Sequence, residues 1–347
     1  MILLQDNPVS LMKLDENPSP VRLAVVLVTY NRRATLVRSL KHLLAAGATD
    51  VTVVDNASND GTGEWLAGLD DRRLNILTLP ENSGGAGGFE SGIAHVLRGH
   101  EPDWVLLLDD DAWPEPDALH LFAEGLPHLP EDTGAVAAAV RLPSGRIAEM
   151  NRPGYNPFWH LPLIWKTLTR GNRAGFKLPD SAYQPDAGLT EVDNASFVGY
   201  FIARKAWRQA GLPEGGLFIY GDDVLYSLRL RKAGLRIMFQ PNVRFVHDCG
   251  SMDANFVYRP LWKVYYHCRN GVEIARTAAG PLVFPFALLW YVMIWSRRGR
   301  HCKGTERRQY NLLMWRGILD GLRRKRGRND DLGLTTPPCQ NGTRISK

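Results

Sequence analysis

The sequence predicts an α/β fold: a mostly parallel sheet with flanking helices, followed by a helical C-terminal extension. Three observations predict it. Short apolar, β-branched runs alternate with helix-periodic segments over residues 22–111. Carboxylates and turn formers stand just beyond the ends of those runs, where parallel sheets bind ligands. From about Pro260 onward the pattern is helical only, and Lys and Arg concentrate there.

The elements follow in order. Residues 22–30, RLAVVLVTY, read as a buried parallel strand. In the next segment Leu36, Leu40, Leu43 and Leu44 fall at helical spacing, and Gly47 is a natural stop. DVTVVDN is a second strand, followed by the turn-rich SNDGTG and a helix around Glu64–Leu69. LNILTLP is a third strand. A glycine-rich stretch, Asn82–Gly92, is expected to lead into a helix ending near Leu97. The fourth strand, WVLLLDDDA, ends in three carboxylates. Residues 133–150 and 186–204 suggest further strands, separated by an insert rich in Pro, Trp and Tyr (Asn151–Gln184). A helix follows at Asp222–Gly234, then a strand at LRIMFQP and a strand-like VRFVHD. This divides the chain into a lead-in (1–21), a main domain (22–258) and a basic C-terminal extension with a flexible tail (259–347).

Composition narrows the class. The 347 residues are 44% hydrophobic and 22% charged, which supports a globular core. The net charge of +6 is unevenly spread: 297–328 holds twelve Lys/Arg against two acids, so that segment is +10 and the remainder −4. Cys249, Cys268, Cys302 and Cys339 form no CxxC pair, which argues for isolated reduced thiols rather than a zinc knuckle or disulfide framework. The N-terminus has no basic region followed by an apolar run, so it is expected to be a lead-in rather than a secretory signal.

Several groups of residues carry chemistry. Asp109, Asp110 and Asp111 follow four apolar residues, and three adjacent carboxylates repel one another unless a cation is present. Mg²⁺ or Mn²⁺ takes hard oxygen ligands and is often shared with phosphates. Alternation puts Asp109 and Asp111 on one side, making them the metal candidates. Asp55, at a strand end, suits a base N–H or ribose hydroxyl; its neighbours also form turns. The run from Asn82 through Gly84, Gly85, Gly87 and Gly88 lets backbone approach a ligand, with a purely conformational role as the alternative. Its spacing fails the dinucleotide fingerprint. Asp222 and Asp223 open a helix; two adjacent acids exceed what capping needs, and one can take a proton from a hydroxyl. His247, after a β-run, is either structural or completes a metal shell.

Together VVLVTYNR, VVDNASNDGT, ENSGGAGGF, LLLDDDAWP, FIYGDDVLYSLRLRKAG and FVHDCGS resemble the inverting glycosyltransferases of family two, which have the GT-A fold. The resemblance covers about Leu23–Ser251. It implies that Thr29 and Asp55 hold the nucleoside, with Tyr30, Arg32, Asn82, the four glycines, Asp109 and Asp110 on the donor side. It implies that Asp109, Asp111 and His247 bind Mn²⁺ or Mg²⁺ at the donor diphosphate. Asp223 matches the general base, with Asp222 the lesser candidate. Within the family, the glycine run and both acid groups look most like galactofuranosyltransferases using UDP-galactofuranose. Rhamnosyltransferases using dTDP-rhamnose are the alternative. The acceptor implied is a lipid-linked or glycan hydroxyl, and the location the cytoplasmic face of the cell membrane.

Pro281–Trp295 is fifteen residues without a charge, shorter than the roughly 20 a spanning helix needs. With Trp290, Tyr291, Trp295 and the arginines that follow, it reads as an interfacial anchor for an anionic membrane surface. The alternative is a helix packed on the main domain. No nucleic-acid motif accompanies the charge, so nucleic acid is not an expected partner. Two other classes compete. A nucleotidyltransferase would carry an N-terminal GGxGTR-type loop, where this chain has TYNRR. A non-catalytic sugar- or lipid-binding module would not need a carboxylate triplet and a base together.

Overall fold

The computed structural model describes residues 21–99, 101–170, 174–248 and 258–332. Cys249, Cys339, the end of the FVHDCGS motif, nearly all of the expected lead-in and the tail beyond 332 lie outside the described residues. The elements are β1 (Leu23–Thr29), α1 (Arg33–Ala45), β2 (Val51–Asp55), α2 (Thr62–Ala67), β3 (Leu74–Thr78) and α3 (Gly84–Gly99). Then come β4 (Trp104–Asp109), β5 (Ala112–Pro114), α4 (Ala118–Gly125), β6 (Thr133–Arg141) and α5 (Leu161–Arg170). β7 (Thr190–Val192), β8 (Tyr200–Ala203), α6 (Arg204–Ala210), α7 (Asp222–Lys232) and β9 (Arg236–His247) complete the sheet layer, and α8 (Trp262–Arg298) and α9 (Gly304–Leu322) follow.

The strands form one sheet in the order β3-β2-β1-β4-β8-β6-β9-β5, with β7 also on β9. The first four strands pair in parallel, as their alternation with helices requires. Beyond them β8 is antiparallel to both neighbours, while β6 and β9 are parallel. The two runs LRIMFQP and VRFVH are one strand, β9, with a register shift opposite Ala138 and Ala139. Alternate residues of β1 enter opposite cores: Val26 and Val28 meet Phe89 and Ile93 of α3, while Val25 and Leu27 meet Leu36 and Leu40 of α1.

Two expectations change here. The glycine-rich stretch is not a loop before a helix; from Gly84 on it is the helix α3 itself. Its glycines let α3 lie against the sheet: a Cβ on Gly88 would sit 2.4 Å from Val28 Cγ1, and one on Gly92 2.4 Å from Val26 Cγ1. The second change concerns α8. Trp262–His301 is long and apolar enough by composition to cross a membrane. Yet Gly280, at φ 71° and ψ 171°, breaks it into two limbs, 262–279 and 281–298. The limbs fold back on each other, with Arg276 over the Phe284 ring at 4.9 Å and the His267 and Trp295 rings 5.9 Å apart. α9 packs on this hairpin through Tyr310, Met314, Gly317 and Ile318, closing a third core with Tyr265, Tyr266 and Trp295. Cys268 and Cys302 are buried in it.

Candidate active site

Strand register assembles the site. Thr29 pairs with Asp55, and Val28 with Asp109, so three strand ends meet along one edge of the sheet. The chain turns at Asp110 and Asp111 into β5, where Ala112 pairs with His247 of β9. The Asp248 amide donates to the Asp111 carbonyl at 2.9 Å, which pins the turn. One ligand atom from each of Asp109, Asp111 and His247 lies within 4.8 Å of the others.

Hydrogen bonds set the state of each group. His247 Nδ1 lies 2.8 Å from Asn151 Oδ1, whose amide nitrogen donates to Ser196 Oγ. The acceptor on Nδ1 orients the ring so that Nε2, 2.9 Å from Asp111 Oδ1, faces the carboxylates. Burial alone would raise Asp111, but the hydrogen bond and charge of His247, and then Arg32, hold it below its ordinary range. Desolvation and then the Asp111 charge push Asp109 up to about 6. Asp110 rises to about 7 through burial, with Arg32 opposing. Arg32 spans Asp110 at 3.2 Å and Asp111 at 2.7 Å; these two carboxylates outweigh its own desolvation and keep it charged. An imidazole whose Nε2 is turned inward, the charged Asp111 carboxylate and the buried Asp109 carboxyl together fit a divalent cation.

A cleft of about 360 Å³ lies beside this cluster, lined by Thr29, Tyr30, Arg32, Asn82, Gly84 and Gly85 among others. The remaining sequence candidates are placed differently. Thr29 Oγ1 donates to Asp110 Oδ2 at 2.8 Å, so Asp110 is held from behind. Asp55 is buried and accepts from the Ser58 amide at 3.0 Å, closing its own turn. Gly87 and Gly88 face protein: a Cβ on Gly87 would meet Ser83 Cβ at 2.5 Å. Asn56, not singled out from the sequence beyond turn formation, ties β2 to the start of α3. Its Nδ2 donates to the Gly84 carbonyl and its Oδ1 accepts from the Ser83 amide. Trp262, Lys263 and Arg328 also line the cleft, so the C-terminal extension supplies part of its wall. Only Arg328 lies in the basic run.

Asp222 and Asp223 line a neighbouring chamber of about 410 Å³ that shares Asp109, His247 and Tyr220 with that cleft. Burial, then the charge of Asp223, drives Asp222 well above its ordinary range. Burial raises Asp223 to about 6; the Val224 amide opposes this and Asp109 adds to it. The loop before them has Phe218, Tyr220 and Gly221 at φ 67°, 66° and 84°, a costly conformation for the two aromatic residues. Asn270 of α8 holds it, its Nδ2 reaching the carbonyls of Leu217, Ile219 and Tyr220 at 3.1, 2.8 and 2.8 Å. Arg269 adds a bond to the Leu217 carbonyl at 2.7 Å. These two residues were indistinguishable from helix packing in the sequence, because their partners lie fifty residues away. Asn270→Ala leaves those carbonyls without that donor. It is expected to cost about 1–3 kcal/mol, read as a lower urea midpoint.

Comparison with known proteins fits this geometry. Residues 24–174 match the profile of "Glycosyl transferase family 2". Galactofuranosyltransferase GlfT2 of Mycolicibacterium smegmatis is 26% identical over 285 residues, covering 74% of this chain. That alignment spans only 41% of the relative's length. Galactofuranosyltransferase GlfT1 of the same organism is 28% identical over 236 residues, covering 65% of this chain and 70% of GlfT1. The N-acetylglucosaminyl-diphospho-decaprenol L-rhamnosyltransferase of Mycobacterium tuberculosis is 26% identical over 249 residues, 65% of this chain and 75% of the relative. Staphylococcus aureus TarS 1-349, solved with UDP-GlcNAc, superposes with a TM-score of 0.54 at 14% identity, covering 87% of this chain and 81% of TarS. The mannosyltransferase PcManGT of Pyrobaculum calidifontis, solved with GDP-Man and Mn²⁺, gives 0.50 at 17% identity, with 90% of each chain covered. Both share the fold. Residues 24–174 thus carry a match to glycosyl transferase family 2, and the chain has the fold of the GT-A glycosyltransferases.

Proposed function

We propose that the chain transfers galactofuranose from UDP-galactofuranose, with inversion, to a hydroxyl of a lipid-diphosphate-linked glycan at the cytoplasmic face of a membrane. One observation carries the reading: Asp109 and His247 of the ligand cluster and the acidic pair Asp222–Asp223 line the same chamber. That arrangement suits a reaction needing charge neutralisation on one side of a sugar and proton removal on the other.

Asp109, Asp111 and His247 would hold Mn²⁺ or Mg²⁺, which supplies a positive charge against the departing diphosphate. Arg32, now shared between Asp110 and Asp111, stands at the cleft where that diphosphate arrives. Tyr30, Asn82, Gly84 and Gly85 form the donor wall. Thr29 belongs to the same wall and fixes Asp110, while Asp55 acts behind it, fixing the 55–58 turn. Asp223 takes the proton of the attacking hydroxyl on the face opposite the leaving diphosphate, which inverts the anomeric centre. Asp222, held protonated by burial and by Asp223, is the poorer base.

The membrane assignment rests on the outer strip of α8. Leu282, Phe286 and Leu289 are 88%, 75% and 68% exposed, and Arg297, Arg300 and Lys303 follow. Broken from the first limb at Gly280 and exposing its apolar side chains along one strip, the second limb suits an in-plane position.

The test is donor turnover across a panel of nucleotide sugars with Mn²⁺, in the presence of membrane lipid extracts. Transfer from UDP-galactofuranose is expected. Transfer from dTDP-rhamnose instead would select the second reading, which is supported by the rhamnosyltransferase relative matched over 75% of its length. Absence of binding to any nucleotide sugar would overturn both.

A further inference from the structure

Behind the acidic pair lies a second chamber, of about 250 Å³. It is built between the loop carrying the base and the two limbs of α8. Tyr220, Gly221, Val224, His267 and Ile274 line both this chamber and the one holding Asp223, so the two adjoin. The far wall is Tyr291, Ile294, Trp295 and Arg298.

Its chemistry is lopsided. The far wall is aromatic and aliphatic with one cationic side chain, Arg298; the rest of the lining includes Asn156, Asn194 and Asn270. Among the described residues the Arg298 guanidinium meets no carboxylate within 4.0 Å; its contact is His267 Nε2 at 3.4 Å. Burial and the Arg298 charge push His267 down to about 3, so the imidazole stays neutral and offers no counter-charge. A half-buried cation among aromatic and aliphatic neighbours is favoured by an anion that joins it, since the neutral asparagines opposite offer it no counter-charge. The same helical limb turns Leu282, Phe286 and Leu289 outward, so the chamber wall and the exposed apolar strip are two sides of one helix.

We propose that this chamber seats the lipid–diphosphate junction of the acceptor. The diphosphate lies on Arg298, the first alkyl or isoprenoid units against Tyr291, Ile294 and Trp295, and the chain continues along the outer strip of α8. The acceptor sugar then reaches forward into the chamber of Asp223. This rests on the proposed glycosyl transfer to a lipid-linked acceptor and specifies where that acceptor is held. It also gives the α8 hairpin a reason to face the base: the linkage between sugar and lipid has to cross from one environment to the other.

The experiment is calorimetric titration of the full chain with farnesyl diphosphate while UDP and Mn²⁺ saturate the donor cleft. Wild type, Arg298→Ala, Arg298→Lys and Ile294→Trp are compared, each checked by thermal melting. Farnesyl diphosphate is expected to bind the wild type. Arg298→Ala is expected to bind about 10–100-fold more weakly, the loss of a charged hydrogen bond to phosphate. Arg298→Lys is expected to restore most of the affinity, and Ile294→Trp, which fills the chamber, to abolish binding. Farnesol, with the chain and no phosphate, is expected to bind as weakly as farnesyl diphosphate binds Arg298→Ala. Equal affinity of wild type and a folded Arg298→Ala would overturn the proposal, as would unhindered binding to Ile294→Trp. A prior UDP titration separates the two levels: UDP binding without farnesyl diphosphate binding removes the chamber assignment alone, and failure of UDP to bind removes the donor reading with it.

Discussion

Asp223→Asn is expected to lower kcat for transfer by about 10²–10⁴-fold, the contribution of a positioned general base, while leaving UDP and Mn²⁺ affinity within a few-fold of wild type. The reason is local. The amide keeps the shape of the side chain at the start of α7 but accepts no proton from a hydroxyl. Asp222→Asn is the internal control. Burial and the Asp223 charge push Asp222 well above its ordinary range and so favour its neutral form, which an amide closely mimics, so this change is expected to cost far less. The same assignment fixes the pH profile. Asp223 acts as a carboxylate and its carboxyl is raised to about 6, so activity is full above that value and falls tenfold per unit below it. Part of the elevation comes from Asp109; a cation on Asp109 offsets that part and moves the limb toward lower pH. Steady-state kinetics of both variants between pH 4.5 and 8 decide the matter. Near-wild-type kcat in Asp223→Asn, or a larger loss in Asp222→Asn, would reassign the base.

Removing the divalent ion with a chelator is expected to stop transfer, and Asp111→Asn to make Mn²⁺ unable to restore it at concentrations that saturate the wild type. Asp111 is the hub of the cluster. It meets His247 Nε2 at 2.9 Å and Arg32 at 2.7 Å, and it is the one acid of the triplet held below its usual range, hence a carboxylate at any working pH. The amide loses that charge together with the contacts that orient His247. Asn151→Ala is expected to act one step removed. It frees the imidazole to rotate or change tautomer, which lowers metal affinity by about 10–100-fold without altering the ligand set. Excess Mn²⁺ is expected to rescue Asn151→Ala and not Asp111→Asn. Calorimetric Mn²⁺ titrations of the three proteins, alongside transfer assays, read both effects. Full activity of Asp111→Asn in chelator would show that the triplet serves only the fold.

The main-chain architecture around these residues was legible because it is written locally. Apolar β-branched runs of strand length, each followed by a helical period, leave a parallel sheet as the natural arrangement, and its carboxyl edge must then carry Thr29, Asp55 and Asp109. The acids at 109–111 and 222–223 stood out for the same reason: adjacent like charges after buried residues are costly in any fold without a purpose. The glycine run was legible only as a need for close approach. Whether the approach is to a ligand or to a strand depends on what lies opposite, and at Gly88 that is Val28, while Gly84 and Gly85 reach the cleft.

By itself, then, the sequence determined the alternation of elements, the strand ends that bear the acids and the basic, apolar character of the C-terminal segment. Tertiary structure alone decided what meets what. Asn151 reaches His247 across 96 residues, Asn270 reaches the Tyr220 carbonyl across 50, and Arg298 faces a chamber whose other wall is 70 to 140 residues earlier. None of these pairings has a period or a motif. Each arises because a chain folded for its hydrophobic layers brings distant polar groups together, and only those that find a partner or a ligand there can stay buried.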